Sequence, residues 1–309
     1  MKFFIKDLDK HTLLFVLEHP LSVSNPLRNR KSSTVRLKEL HDVKNNPAGV
    51  GPLFRPIDIR SLPVTNLHRQ FEFHPPFESS PDAQNKILTQ WQMEIDDAPI
   101  FRYLYRHFKP QRHLEFGTWQ GTGVMCCLEE CGATVWTINL PEGETRADGD
   151  YSYQVIPLMH GFFPPWATHI PLWVKRKLFS GAGCQTDAIG MIGRLYLEKQ
   201  LGKRVCQIYC DSRDWDISNY PEGFFDSVLI DGGHSREVVI SDTRKALSLV
   251  RPGGLVMWHD FCPVKEVYET FESVRGVYDA VSEIHDWLAP QMADLFWINP
   301  SWILAGIRK

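Results

Sequence analysis

The sequence contains no apolar stretch near the roughly 20 residues needed to cross a bilayer; close to the N-terminus the longest run is Leu13 to Leu17. A membrane span is therefore not expected. Nor is a secretory leader, because Asp7 and Asp9 interrupt the opening apolar residues and no small-residue cleavage site follows. Net charge is also scarce. Thirty-four Lys and Arg stand against 37 Asp and Glu, leaving −3, with a pI near 6.5. No global positive field would then recruit nucleic acid or an anionic membrane. The seven cysteines are an odd count for a disulfide framework. Cys126, Cys127 and Cys131 crowd into one helix-like stretch where adjacent residues point apart, so reduced thiols in a cytoplasm are the expectation. Internal repeats and low-complexity tracts are missing as well. What is present is a globular composition, 43% hydrophobic and 23% charged over 309 residues. That suffices for one large domain, or one domain plus an extension, burying roughly 75% of its unfolded surface.

Prolines divide the chain. Pro20, Pro26, Pro47, Pro52, Pro56, Pro63, Pro75, Pro76 and Pro81 break any long helix or central strand, so residues 1–80 read as an irregular extension. Its basic cluster, Arg28, Arg30, Lys31, Arg36 and Lys38, reads as a solvated face. Residues 81–309 form the expected domain. Ala83 to His107 has roughly helical apolar spacing with a break near Pro99. From residue 112 onward short apolar runs alternate with helical patterns, the mark of a doubly wound, mostly parallel α/β sheet. Seven strands are expected, over 113–116, 134–140, 204–210, 227–231, 255–259, 295–298 and 302–307. Helices are expected over 122–131, 187–200, 236–250 and 265–274, the third closed by Pro252-Gly253-Gly254.

Three motifs could carry chemistry. Leu114-Glu115-Phe116-Gly117-Thr118-Trp119-Gln120-Gly121-Thr122 reads as a strand, a glycine turn and a helix start. Bare backbone there admits a ligand, and the helix N-terminus offers free N–H groups. An ordinary tight connection with a solvated glutamate is the alternative. Val228-Leu229-Ile230-Asp231-Gly232-Gly233-His234 and Leu255-Val256-Met257-Trp258-His259-Asp260 each end a buried strand on polar residues. Two carboxylates and two imidazoles would thus meet at one sheet edge, where open α/β sheets bind ligands. Taken singly, each could be a capping aspartate or a satisfied histidine.

Together these residues resemble the class I S-adenosylmethionine-dependent methyltransferases, and among them the bacterial metal-dependent O-methyltransferases of sugars and natural products. The likeness spans about residues 112–262 and rests on Glu115-Phe116-Gly117-Thr118 with Gly121, Cys210-Asp211-Ser212, Ile230-Asp231-Gly232-Gly233-His234, Pro252-Gly253-Gly254 and His259-Asp260. It implies a Rossmann-like fold. It also implies that Glu115, Gly117, Thr118 and Gly121 line the methionine and ribose part of S-adenosylmethionine, with Asp211 and Ser212 beside the adenine. Asp231 and Asp260, with His259 third, would hold a divalent metal, and His234 would be the general base. Magnesium suits two carboxylates, whereas a histidine ligand shifts the preference toward manganese, iron or zinc. The acceptor implied is a small-molecule hydroxyl, a sugar among the candidates, in a protein that could be a homo-oligomer.

The sequence departs from that pattern twice. Trp119 replaces the middle glycine, and Asn139 replaces the acidic residue that grips the ribose, giving a contact roughly half as strong as a charge-assisted one. Glu142 is a substitute candidate. Residues 141–185 exceed an ordinary connection and carry Tyr151, Tyr153, Phe162, Phe163, Trp166 and Trp173 with His160 and His169, suiting either a lid over a ring-shaped acceptor or an insertion packed elsewhere. A non-haem iron oxygenase using the same histidines and aspartates, and a cofactor-binding protein without turnover, are the competing readings. A nicotinamide dehydrogenase would need a Gly-x-Gly-x-x-Gly spacing that this turn lacks.

Overall fold

The fold is seen in a computed structural model, which describes residues 59–80, Ala83, 86–141 and 192–309. All of these fall within the unit Lys38–Lys309. The expected insertion at 141–185 lies outside the described residues apart from Pro141, as does the basic cluster.

Five strands, β2 (Arg112–Phe116), β3 (Thr134–Asn139), β4 (Val205–Tyr209), β5 (Phe225–Ile230) and β6 (Val250–Trp258), pair in parallel in the order β4-β3-β2-β5-β6. β8 (Ile303–Arg308) adds antiparallel to β6, and β7 (Met292–Asn299) antiparallel to β8. The carboxyl-terminal halves of β5 and β6 are continuous apolar runs because both faces are covered, and Leu114, Val228, Leu229, Val256, Met257 and Trp258 are fully buried.

On one face α2 (Ala98–Phe108) and α3 (Thr122–Glu130) pack together and share a core with Leu229, Leu255 and Met257. On the other, α5 (Arg236–Leu249) packs on α7 (Glu272–Leu288), and its Thr243 accepts the Trp258 indole N–H at 2.9 Å. The short α4 (Arg194–Glu198) packs on α3, and the short α6 (Lys265–Thr270) on α7.

The sheet has eight strands among the described residues, one more than expected. The extra strand, β1 (Arg60–Pro63), runs parallel to β7 at the edge and is followed by the helix α1 (Leu67–Phe71), so the expectation of irregular chain to residue 80 is corrected over 60–71. Four residues are too few to show a period, and Pro63 is tolerated because an edge strand leaves one side unpaired. Leu62, Val64 and Leu67 are buried against the core nonetheless. The helical spacing over 83–107 resolves into a π-helical turn, Met93–Asp97, and then α2, with Pro99 in its first turn. Pro252-Gly253-Gly254 stands inside β6, beside a register shift in β5, and α5 has already ended at Leu249.

Candidate active site

Strand order reverses between β2 and β5, the point where α/β sheets open a crevice beyond their carboxyl ends. A cavity of about 360 Å³ lies there, walled by the ends of β2, β3, β5 and β6. Of the residues expected at a site, Glu115, Gly117, Thr118, Asn139, Ser212, Asp231, His234, His259 and Asp260 line it.

Gly121 and Asp211 do not. Gly121 takes a left-handed φ of 95°, and its bare Cα faces Tyr196. Asp211 accepts hydrogen bonds from the Arg213 backbone at 2.9 Å and from its guanidinium at 3.0 Å.

The turn after β2 is held by backbone. Gly117 and Thr118 donate to the Ile138 carbonyl at 2.9 and 3.2 Å, and Asp231 donates to the Phe116 carbonyl at 2.9 Å. At φ 94°, a Cβ on Gly117 would overlap the Asp231 carbonyl, so this glycine joins the ends of β2 and β5. Thr118 is buried and bonded to the Thr137 hydroxyl at 2.7 Å and the Gln207 amide at 2.9 Å. Trp119 holds the left-handed conformation that the missing glycine would take, φ 45°, and donates its N–H to Asn139 Oδ1 at 3.0 Å. The two departures from the family pattern therefore touch each other.

Glu115 is 1% exposed, with its carboxyl against the bare Cα of Gly123 in the first turn of α3. Burial, then the charge of Asp231, raise its pKa well above the ordinary range, against a hydrogen bond from the Val124 backbone. Its Oε2 is a buried acceptor without a hydrogen-bond partner among the described residues.

The polar edge centres on His259, which is 5% exposed. Its Nδ1 lies 3.0 Å from Asp231 Oδ1 and its Nε2 3.1 Å from Asp97 Oδ2. Burial disfavours charge on this ring, yet Asp231 and Asp260 outweigh it and hold the pKa well above the usual value. Asp97 is fully buried, which lifts its carboxyl, and the contact with His259 offsets only part of that rise. Both ring nitrogens of His259 thus sit at carboxylate oxygens.

His234 joins the same carboxylates. Its Nε2 is 2.8 Å from Asp260 Oδ2 and 4.0 Å from Asp231 Oδ1, and donor atoms of Asp231, His234 and Asp260 all lie within 4.8 Å of one another. The ring edge is 39% exposed, but Nε2 is buried and too far out of line with Asp260 for a hydrogen bond. Burial opposes charge here too, and the two aspartates prevail, pushing the His234 pKa up to about 10. Asp260 sits at φ 55°, a left-handed conformation that costs a non-glycine residue about 1–2 kcal/mol and aims its carboxyl back at the cluster. Both imidazoles therefore meet the two carboxylates: His259 Nδ1 lies 3.0 Å from Asp231 Oδ1 and 3.6 Å from Asp260 Oδ2, and His234 stands beside them.

Sequence reasoning missed Asp97, which comes from the π-helical turn before α2 and also accepts the Trp91 indole at 2.6 Å and the Trp302 backbone at 3.3 Å. It missed Met93 and Asp242 in the cavity wall as well. It also missed Gly276 of α7, where an added Cβ would overlap the His234 carbonyl.

Residues 114–261 match a family model described as a methyltransferase domain. Similar solved structures include an O-methyltransferase from Bacillus cereus in complex with S-adenosylhomocysteine, 17% identical, covering 79% of this chain and 87% of that one at a TM-score of 0.41. Another is a methyltransferase from Podospora anserina, also with S-adenosylhomocysteine, 14% identical over 82% and 91% at 0.43. No curated protein sequence matches the chain. What the comparisons show for this chain is therefore a likeness to a methyltransferase domain through residues 114–261.

Proposed function

We propose that the protein transfers the methyl group of S-adenosylmethionine to a hydroxyl of a small molecule, assisted by a divalent cation, with sugar hydroxyls as the first acceptors to test. The observation that carries this reading is the cavity at the strand-order reversal, where a glycine turn and a cluster of carboxylate and imidazole donors share one wall. The cofactor fits the chain's own groups: bare backbone at Gly117, the unpartnered Glu115 Oε2, and Ser212 at the far end. The cation fits as well, since two carboxylates and a buried imidazole nitrogen without a hydrogen bond form an open donor set.

S-adenosylmethionine would supply an electrophilic methyl, and a cation held by Asp231, His234 and Asp260 would lower the pKa of the acceptor hydroxyl. The protein's part is placement. Asp97 holds His259, and His259 holds Asp231 Oδ1, so one oxygen of that carboxylate is fixed. His234 Nε2 carries a proton between the two aspartates in the cation-free protein, and must give it up before serving as either ligand or base. Trp119, 41% exposed, lies in the cavity wall and can cover a ring-shaped acceptor.

Calorimetry with S-adenosylmethionine, S-adenosylhomocysteine and Mn²⁺ tests the reading. The cofactor should bind without metal, Asp260→Ala should weaken Mn²⁺ at least about tenfold while sparing the cofactor, and His234→Ala should follow Asp260→Ala. If His234→Ala lowers turnover by roughly 10² to 10⁴ with Mn²⁺ affinity unchanged, His234 is a base and not a ligand. Cofactor that fails to bind the folded protein overturns the whole reading.

A further inference from the structure

The sequence crowds three cysteines into residues 126–131, and the methyltransferase site uses none of them. They separate in the structure. Cys126 is fully buried and turns toward the carbonyl of Ala98 in α2, 3.8 Å away. Cys127, one residue on, points elsewhere and meets Cys131 one turn later, their sulfurs 3.7 Å apart. Cys131 is the residue that ends α3. Its backbone has left the helix, φ −147° and ψ 171°, and its Sγ lies 3.2 Å from the Cys127 carbonyl. It is half-buried whereas Cys127 is enclosed, and the neighbouring Gly132 faces open space.

We propose that Cys131 and Cys127 form a peroxide-reactive thiol pair, Cys131 attacking and Cys127 resolving, that closes to an intramolecular disulfide at the end of α3. The Cys131 thiolate attacks one peroxide oxygen, the O–O bond breaks, and sulfenic acid and hydroxide form. The Cys127 thiol then attacks that sulfur, the S–O bond breaks and water leaves. Two thiols are oxidised and one peroxide is reduced to two waters. Three observations support the order of events.

Residues four apart on a helix bring their Cα atoms to about 6 Å, inside the range a disulfide spans, and an extended end residue next to a glycine can turn its Cβ inward. The attacking sulfur must be reachable and the resolving one shielded, as they are. The environment also favours thiolate at Cys131: a hydrogen bond from Cys127 comes first, then the Ala133 backbone and the Arg204 guanidinium, taking its pKa down to about 7 against partial burial and Glu130. Arg204 is fixed there by donating to the carbonyls of Leu128, Cys131 and Ala133. Burial keeps Cys126 and Cys127 as thiols, with Cys126 pushed up to about 12.

The test is peptide mapping of the full chain by mass spectrometry after equimolar hydrogen peroxide at pH 7. A peptide containing residues 126–131 should lose two mass units, and Cys131 should react at least about tenfold faster than the exposed Cys206, whose burial-raised pKa leaves it a far smaller thiolate fraction. Cys127→Ser should leave a Cys131 sulfenic acid that a dimedone probe captures, and Cys131→Ser should abolish the fast phase. Cys131 labelled no faster than Cys206, a Cys131 disulfide to any other cysteine, or a fast phase that survives Cys131→Ser would overturn the pairing.

Discussion

At the residue scale the most consequential side chain lies outside the matched domain. Asp97 accepts hydrogen bonds from an indole and a backbone amide and contacts His259, all without exposure to water. Asp97→Ala strands those partners and should cost about 3–5 kcal/mol, the penalty for breaking a buried charged pair, read as a lower urea midpoint at unchanged slope. A loss below 1 kcal/mol would show that water replaces the carboxylate. His113 is a second buried group with a measurable signature. It bridges Ser227 at 2.8 Å and Tyr105 at 3.0 Å between β2, β5 and α2, and burial takes its pKa down to about 3. The folded state therefore refuses a proton that the unfolded chain accepts below about pH 6.5. Stability from this group is complete above that pH and falls as pH drops toward 3, by about 1.4 kcal/mol per unit. Urea titrations at pH 7 and 5 should show the loss, and His113→Gln should flatten it.

At the scale of elements, helix α7 governs the loop that carries His234, because the backbone at Gly276 presses on the His234 carbonyl. Gly276→Ala should cost about 1–3 kcal/mol by overpacking and weaken Mn²⁺ at least about tenfold, with cofactor affinity retained. Equal loss of both ligands would point to a general collapse of the sheet edge. The strands were readable from sequence because parallel strands buried on both faces are unbroken apolar runs, and Val228 to Ile230 or Leu255 to Trp258 admit no other placement. The full length of α7 carried an equally plain signal in Val274, Val277, Tyr278, Val281, Ile284 and Leu288, although the reading ended its helix at 274. The carboxyl-end aspartates were readable for the same reason as the strands. Asp97 was not, since it meets His259 from 162 positions away and no local pattern encodes that partner.

For the whole molecule, the sheet is finished by segments on either side of the matched stretch: β7 and β8 after it, β1 before it. Leu62 is 5% exposed in β1, and Leu62→Ala should cost about 2–3 kcal/mol by calorimetric melting or urea. A change under 0.5 kcal/mol would make β1 dispensable. The contact between Asp97 and His259 crosses the same border, with Trp302 of the segment after it closing the far side. A hybrid that took residues 114–261 from this chain and its flanks from a different protein would inherit His259 without the carboxyl group that seats it. Positions 97 and 259 should therefore be exchanged as a unit, and a graft that moves one alone should regain cation binding when the other follows.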